Sequence, residues 1–293
     1  IGERKMKKSK LAKVLTVSLA ALMVFGLASC GGGSGKVSDK DITVISREEG
    51  SGTRDAFTEL TGILQDDVDK TVDTAEISNS TSVVTQSVAG NDAAIGYISL
   101  GSLDDTVKAV KVDGVEATVD NIKSGDYKIQ RPFNIVTKGE VKELPADFIK
   151  FIMSKDGQKI IEDEGYISVN DNAEAYKASG LKGSITLAGS TSVSPVMEVL
   201  ADKYKELNSG VTIEIQQTGS GAGIQSTTEG VCDIGMASRE LKDEETSQGL
   251  KSEEIALDGI AVIVNKDNGV EDLSMDQIMK IFTGEITNWA DVK

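Results

Sequence analysis

Three stretches of the sequence join glycines to hydroxyl side chains in a way that suits holding a small anion. Gly50-Ser51-Gly52-Thr53 lies between Arg47 and Arg54. Gly189-Ser190-Thr191-Ser192 runs into Ser194-Pro195. Gly219-Ser220-Gly221-Ala222-Gly223 precedes Ile224. Glycine lets a ligand approach the backbone, serine and threonine add hydroxyl donors, and arginine brings a charge that does not titrate away. Each loop taken singly also reads as an ordinary turn with capping residues. Three in one chain, one of them flanked by arginines, point to an anion site. None has the Gly-Lys-Ser/Thr ending of a nucleotide phosphate loop, and none has the spacing of a dinucleotide fingerprint. The chain contains no histidine, which removes Ser-His-Asp and Cys-His mechanisms and the commonest zinc ligand. No catalytic residue, metal ligand set or cofactor is expected.

Each loop sits at the same place in a recurring pattern of strand, loop and helix. Ile42–Ser46 leads into the first loop, and a helix through Phe57 and Leu60 follows it. Ser184–Ala188 leads into the second, with Ser194 suited to the N-cap, Pro195 to the first helical position, and Val196, Leu200, Tyr204 and Leu207 on one helical face. Thr212–Ile215 leads into the third, whose helix begins near Ile224. A helix N-terminus presents unpaired N–H groups and the positive end of the helix dipole, so three such ends facing one cleft would trap a phosphate-sized anion. Ala93–Ile98 and Gly259–Val264 read as buried strands, and Phe148, Ile149, Phe151 and Ile152 as a core helix face. Trp289 and Cys232 read as packing residues. The alternation predicts an α/β fold.

The 293 residues allow two medium-sized domains, and 39% hydrophobic with 27% charged content is that of a globular protein. A net charge of −16 argues against nucleic acid as a partner. It does not argue against an anionic ligand, because a buried site responds to local dipoles. Acidic pairs such as Asp66-Asp67, Asp104-Asp105 and Glu253-Glu254 read as solvated surface.

Lys7, Lys8, Lys10 and Lys13 precede the uncharged run 14–28, the layout of a secretory signal peptide over residues 1–29, with Met6 as the expected start. The run is short for a membrane-spanning helix. Leu27-Ala28-Ser29-Cys30 resembles a bacterial lipobox, which implies lipidation of Cys30, a flexible tether over 30–38 and a place on the outer face of the cell membrane, held by the lipid alone. With Cys30 so used, Cys232 has no disulfide partner.

The body resembles the phosphate-binding proteins of phosphate ABC importers, which have the type II periplasmic-binding-protein fold. The resemblance is carried by Ala188–Pro195, Thr218–Gly223, Asp233–Glu240, Arg47–Arg54, Asn91–Tyr97 and Ile281–Gly284. It implies two α/β lobes around a ligand cleft, joined by two hinge strands near 131–137 and 259–265. One lobe would be 131–269, the other 39–130 with 270–293. It implies phosphate binding by Thr191, Ser192, Ser220, Ser238, Arg47, Ser51, Gly52 and Thr53, delivery to an ABC permease, and a monomer. The order of the halves is swapped relative to the family, so the chain reads as circularly permuted, with the old junction between Val292 and Asp39. A joined gene, or halves pairing between chains, stays open at this point. Where the family usually carries an aspartate that accepts the phosphate proton, this chain has Ser238; two readings stay open, substitution by Glu240, Glu49 or Asp55, or a different mode of anion binding by Ser238 and Arg239. A binder of sulfate or molybdate, a surface phosphatase and an anion sensor stay open as alternatives.

Overall fold

The structure is a computed structural model that describes residues 39–292; the signal-peptide, Cys30 and tether expectations fall outside the described residues. Ten strands form one sheet: β1 (Thr43–Arg47), β2 (Glu76–Ser78), β3 (Ala94–Ser99), β4 (Val107–Ala109), β5 (Gln130–Lys138), β6 (Ile167–Ser168), β7 (Gly183–Gly189), β8 (Val211–Gln217), β9 (Ile234–Ala237) and β10 (Leu250–Asn265). The main path runs β8-β7-β9-β5-β10-β3-β1-β2, with β4 and β6 also paired to β10. At one end β7 pairs in parallel with β8 and β9; at the other, β1 pairs in parallel with β2 and β3. Each parallel group returns through a crossover helix, which places helix N-termini at the carboxyl ends of the strands, where α/β folds bind ligands.

The apolar residues divide into two main cores. One gathers around Phe57, Tyr97 and Phe282, with Phe57 stacked on Tyr97 at 4.0 Å and edge-on to Phe282 at 4.9 Å. The other gathers around Phe133, Phe148, Phe151 and Tyr204. Strands β5 and β10 run antiparallel between them. The 16-residue β10 serves both lobes: Leu250–Gly259 pairs with β5, then Ile260–Val264 pairs with β3. This moves a boundary. Residues 260–269 were expected with 131–259, but the pairing of Ile260–Asn265 with β3 and β4 assigns that stretch to the lobe built on 39–130. A strand that changes partners midway carries no break in its hydrophobic pattern, so sequence alone does not mark the exchange.

The two ends of the described chain lie together. Ile42 N donates to Thr287 O (2.8 Å), Trp289 N donates to Lys40 O (3.0 Å), and Asp41 bridges Asn288. Trp289 packs in the first core, with its indole Nε1 donating to Ala93 O. Among the described residues, no helix is long and apolar enough to cross a membrane.

Candidate functional site

Four helices begin at one place in the cleft: α1 (Gly52–Leu60), α2 (Thr81–Gly90), α3 (Ser194–Leu207) and α4 (Ser220–Glu229). Local sequence explains each start. Ser51 caps α1, its Oγ accepting from Arg54 N, and Ser80 caps α2 by accepting from Val83 N. At α3 the cap differs from expectation. Helical backbone already includes Ser194, and Ser190 Oγ instead accepts from Ser192 N (3.2 Å) and Val193 N (3.4 Å). The Ser190–Ser192 turn winds tightly enough for Ser194 N to donate to Ser190 O, so the capping role moves four residues upstream. Gly219 precedes α4 at φ +88°, a backbone angle that glycine adopts without strain.

The hydroxyls at these starts touch across the two lobes. Thr53 Oγ1 is 2.9 Å from Ser192 Oγ. Thr81 Oγ1 lies 3.1 Å from Ser192 Oγ and 3.4 Å from Thr191 Oγ1. Ser220 Oγ is 3.3 Å from Ser238 Oγ and accepts from Ser238 N at 3.2 Å. Gly221 N donates to Gly50 O across the lobes at 2.9 Å. A Cβ at Gly52 would stand 2.5 Å from Ser220 Oγ and 2.8 Å from Ser238 Oγ, so the absence of a side chain there is what permits the close approach. All of these hydroxyl residues are buried, as is Arg47 at 2% exposure. Arg47 is held by Glu48 through two 2.8 Å bonds from Nε and Nη2, which leaves Nη1 facing Thr81 Oγ1 at 3.4 Å. Beside the cluster opens a cavity of about 490 Å³, lined in part by Ser80, Thr81, Thr85, Asp104, Thr191 and Gln217.

Beneath Ser238 lies a second buried charge pair. Arg131, on β5, meets Asp258, on β10, at 3.0 Å, with side chains 1% and 0% exposed. Ser99 Oγ donates to Asp258 Oδ1, and Arg131 Nη1 donates to Ser238 O. Burial pushes the Asp258 carboxyl up to about 6, against the pull of Arg131 and of the Ser99 hydroxyl. Breaking one half of such a pair leaves an uncompensated buried charge, which typically costs about 3–5 kcal/mol.

The structure brings together all eight residues singled out in the sequence: Arg47, Ser51, Gly52, Thr53, Thr191, Ser192, Ser220 and Ser238. It adds Thr81, Arg131 and Asp258. Thr81 had a signal, since Ser78-Asn79-Ser80-Thr81-Ser82 follows a short strand and precedes a helix, but that loop lacks the glycine that drew attention to the other three. Arg131 and Asp258 carried none, being single charged residues 127 positions apart. The expected substitute proton acceptors stand elsewhere. Asp55 pairs with Arg239 at 2.9 Å, Glu49 is exposed, and Glu240 is exposed beside Asn134. Cys232 is a buried thiol beside Thr227, and burial raises its pKa.

Comparison with known proteins gives concordant results. The PBP superfamily domain matches residues 29–156 and 174–293. Phosphate-binding protein PstS 2 of Streptococcus agalactiae serotype V is 52% identical over 98% of this chain and 99% of its own. The crystal structure of a phosphate ABC transporter, phosphate-binding protein from Streptococcus pneumoniae TIGR4 is 49% identical, with a TM-score of 0.71 over 87% of this chain and 100% of that one. One alignment running through both halves means that the S. agalactiae relative carries the segments in the same order as this chain. The phosphate-binding protein PstS of Bacillus subtilis, by contrast, aligns over 127 residues, 43% of this chain and 42% of its own, at 38% identity. A linear alignment follows one half at a time when two chains hold the same halves in different order.

Proposed function

We propose, from the premise that this chain belongs to the PBP superfamily and, within it, to the phosphate-binding proteins, that its cleft binds inorganic phosphate and that the loaded protein delivers it to the permease of an ABC transporter. The observation that carries the reading is the convergence of four helix N-termini and six buried hydroxyls on one point beside Arg47. Helix dipoles, free N–H groups and hydroxyls all favour a multiply charged oxyanion there. Hydrogen bonds to a charged group contribute about 1.5–3 kcal/mol each. Several of them, less desolvation and ordering, reach the roughly −8 kcal/mol of a micromolar complex or better.

Arg47, Thr53, Thr81, Thr191, Ser192, Ser220 and Ser238 are the binding residues in this reading, with Ser51 and Gly52 shaping the α1 start. Release follows hinge opening about β5 and β10, which separates the two halves of the hydroxyl cluster. The role is binding, not catalysis, in keeping with the names of the relatives and with a chain without histidine. Lipidation of Cys30 holds the protein at the outer face of the membrane, and one chain forms one site. Equilibrium dialysis with labelled phosphate tests the reading. Saturable uptake of one phosphate per chain supports it, and absence of uptake by the folded protein overturns it. For the anchor, Cys30→Ala is expected to release the protein from the membrane fraction into the medium; retention would contradict lipidation there.

A further inference from the structure

The two lobes meet through charges as well as through hydroxyls. Arg239 follows β9 by two residues, on the lobe built on 131–259, and its own lobe fixes most of its guanidinium. Nη1 and Nη2 donate to the two carboxylate oxygens of Glu245 at 2.8 Å, and Nη1 also donates to Glu240 O at 2.7 Å. Glu245 is steadied in turn on the short helix Asp243–Thr246, where it accepts from Lys242 N. That leaves Nε for the other lobe. Asp55, in the first turn of α1, places Oδ2 2.9 Å from Nε, and Lys242 Nζ stands 3.8 Å from the same oxygen.

Two observations separate this pair from an ordinary surface ion pair. Asp55 Oδ2 and Arg239 Nε are both buried, and neither has a hydrogen-bond partner within its own lobe. Each therefore gives up water when the lobes close and has the opposite charge as compensation. Truncating one of them leaves the other buried and unpaired, a penalty that falls on the closed form. The arginine is also ordered beforehand by Glu245, which reduces the side-chain entropy lost on pairing. Lys123 and Glu162 cross between the lobes too, but at 3.7 Å and with both side chains 49% exposed, where an ion pair contributes little.

We infer that Asp55 and Arg239 form a latch between the lobes that holds the cleft closed and sets the rate at which the bound anion leaves. Both are positioning residues: they act on each other, and so favour the arrangement in which Thr53 meets Ser192. The inference rests on the proposed phosphate reading and adds to it the residues that govern release. Its sign is distinctive. Asp55 is a negative charge in the first turn of a helix whose N-terminus opens on the site, so on charge alone its removal favours an anion there. As half of a latch, its removal disfavours one.

The test combines calorimetric titration with phosphate and rapid-filtration release of labelled phosphate, on phosphate-stripped protein and on variants shown to fold by circular dichroism. Asp55→Ala is expected to raise the Kd about fivefold, through faster release at an unchanged association rate. Asp55→Glu, which keeps the charge, is expected to return the Kd to within about twofold of wild type. In an Arg239→Ala background the effect of Asp55→Ala is expected to shrink below about twofold, because the partner is already gone. Glu162→Ala, which breaks the exposed pair, is expected to leave the Kd unchanged. A Kd that is unchanged or lowered in Asp55→Ala overturns the latch and leaves the phosphate reading standing. So does a loss that persists undiminished without Arg239, or one of equal size in Glu162→Ala. Wild-type protein that takes up no phosphate overturns both.

Discussion

Arg47 closes β1 and Arg239 follows β9 by two residues, and both are buried, yet their partners separate their roles. Arg239 is engaged by Glu245 through two 2.8 Å bonds and by Asp55, so its charge is spent within a surface-linked ion-pair network. Arg47 gives two donors to Glu48 and turns the third toward the hydroxyl cluster. Arg47→Ala is expected to weaken phosphate binding by about 100-fold, the equivalent of roughly 3 kcal/mol of charged hydrogen bonding. Arg239→Ala is expected to change the Kd less than tenfold in the same dialysis assay, and equal losses would misplace the site's charge. Gly52→Ala tests closure: its methyl group would press on Ser220 and Ser238, so binding falls at least tenfold while the melting temperature of the ligand-free protein stays nearly constant. At this scale the sequence was informative wherever glycine, hydroxyl and arginine clustered within a few positions. It was silent on Arg131 and Asp258, because a pair formed between two strands so far apart in the chain leaves no local pattern.

The helices that aim the site are positioned by contacts made away from it. Asp147, on the Glu143–Ile152 helix, accepts hydrogen bonds from Tyr204 of α3, from Tyr176 and from Ser179, and so ties α3 to the helix beneath it. Burial alone would raise its pKa, but these three hydroxyls more than offset that and hold the carboxyl below its ordinary value. The sign follows. A depressed carboxylate contributes stability above its unfolded pKa of about 3.9 and loses it as the pH falls through the folded value. Asp147→Asn is therefore expected to lower stability at pH 7 in urea denaturation, by no more than about 1 kcal/mol at a site this open to solvent, with the difference from wild type shrinking below pH 4. A difference that persists at pH 3 would assign the effect to packing. The helices and strands were largely legible in periodicity and in the strand–loop–helix repeat. The α3 cap was not, because Ser190, Ser192 and Ser194 are each competent caps, and only the tight turn at Ser190–Ser192 decides among them.

For the whole molecule, the order of the halves was readable, whereas the reason it folds was not. The hydrogen bonds between 40–42 and 287–289 supply that reason: the two ends of the described chain stay side by side, close enough to be joined directly. Closing a loop between neighbouring ends costs little entropy. A chain re-permuted to begin at Gly183, with Val292 linked to Asp39 through a short glycine linker, is expected to fold and to bind phosphate within about threefold of the native order. Loss of folding would mean that the order itself is structural. The lobe boundary, by contrast, depends on where β10 changes partners, a choice fixed by tertiary pairing with β5 and β3 and not by any residue at Gly259. Calorimetric titration of the phosphate-stripped protein with phosphate addresses the central claim most directly. The account predicts one site per chain with micromolar or tighter affinity, lost in Arg47→Ala. A folded protein that takes up no phosphate, or half a phosphate per chain, would contradict a cleft completed within a single permuted chain.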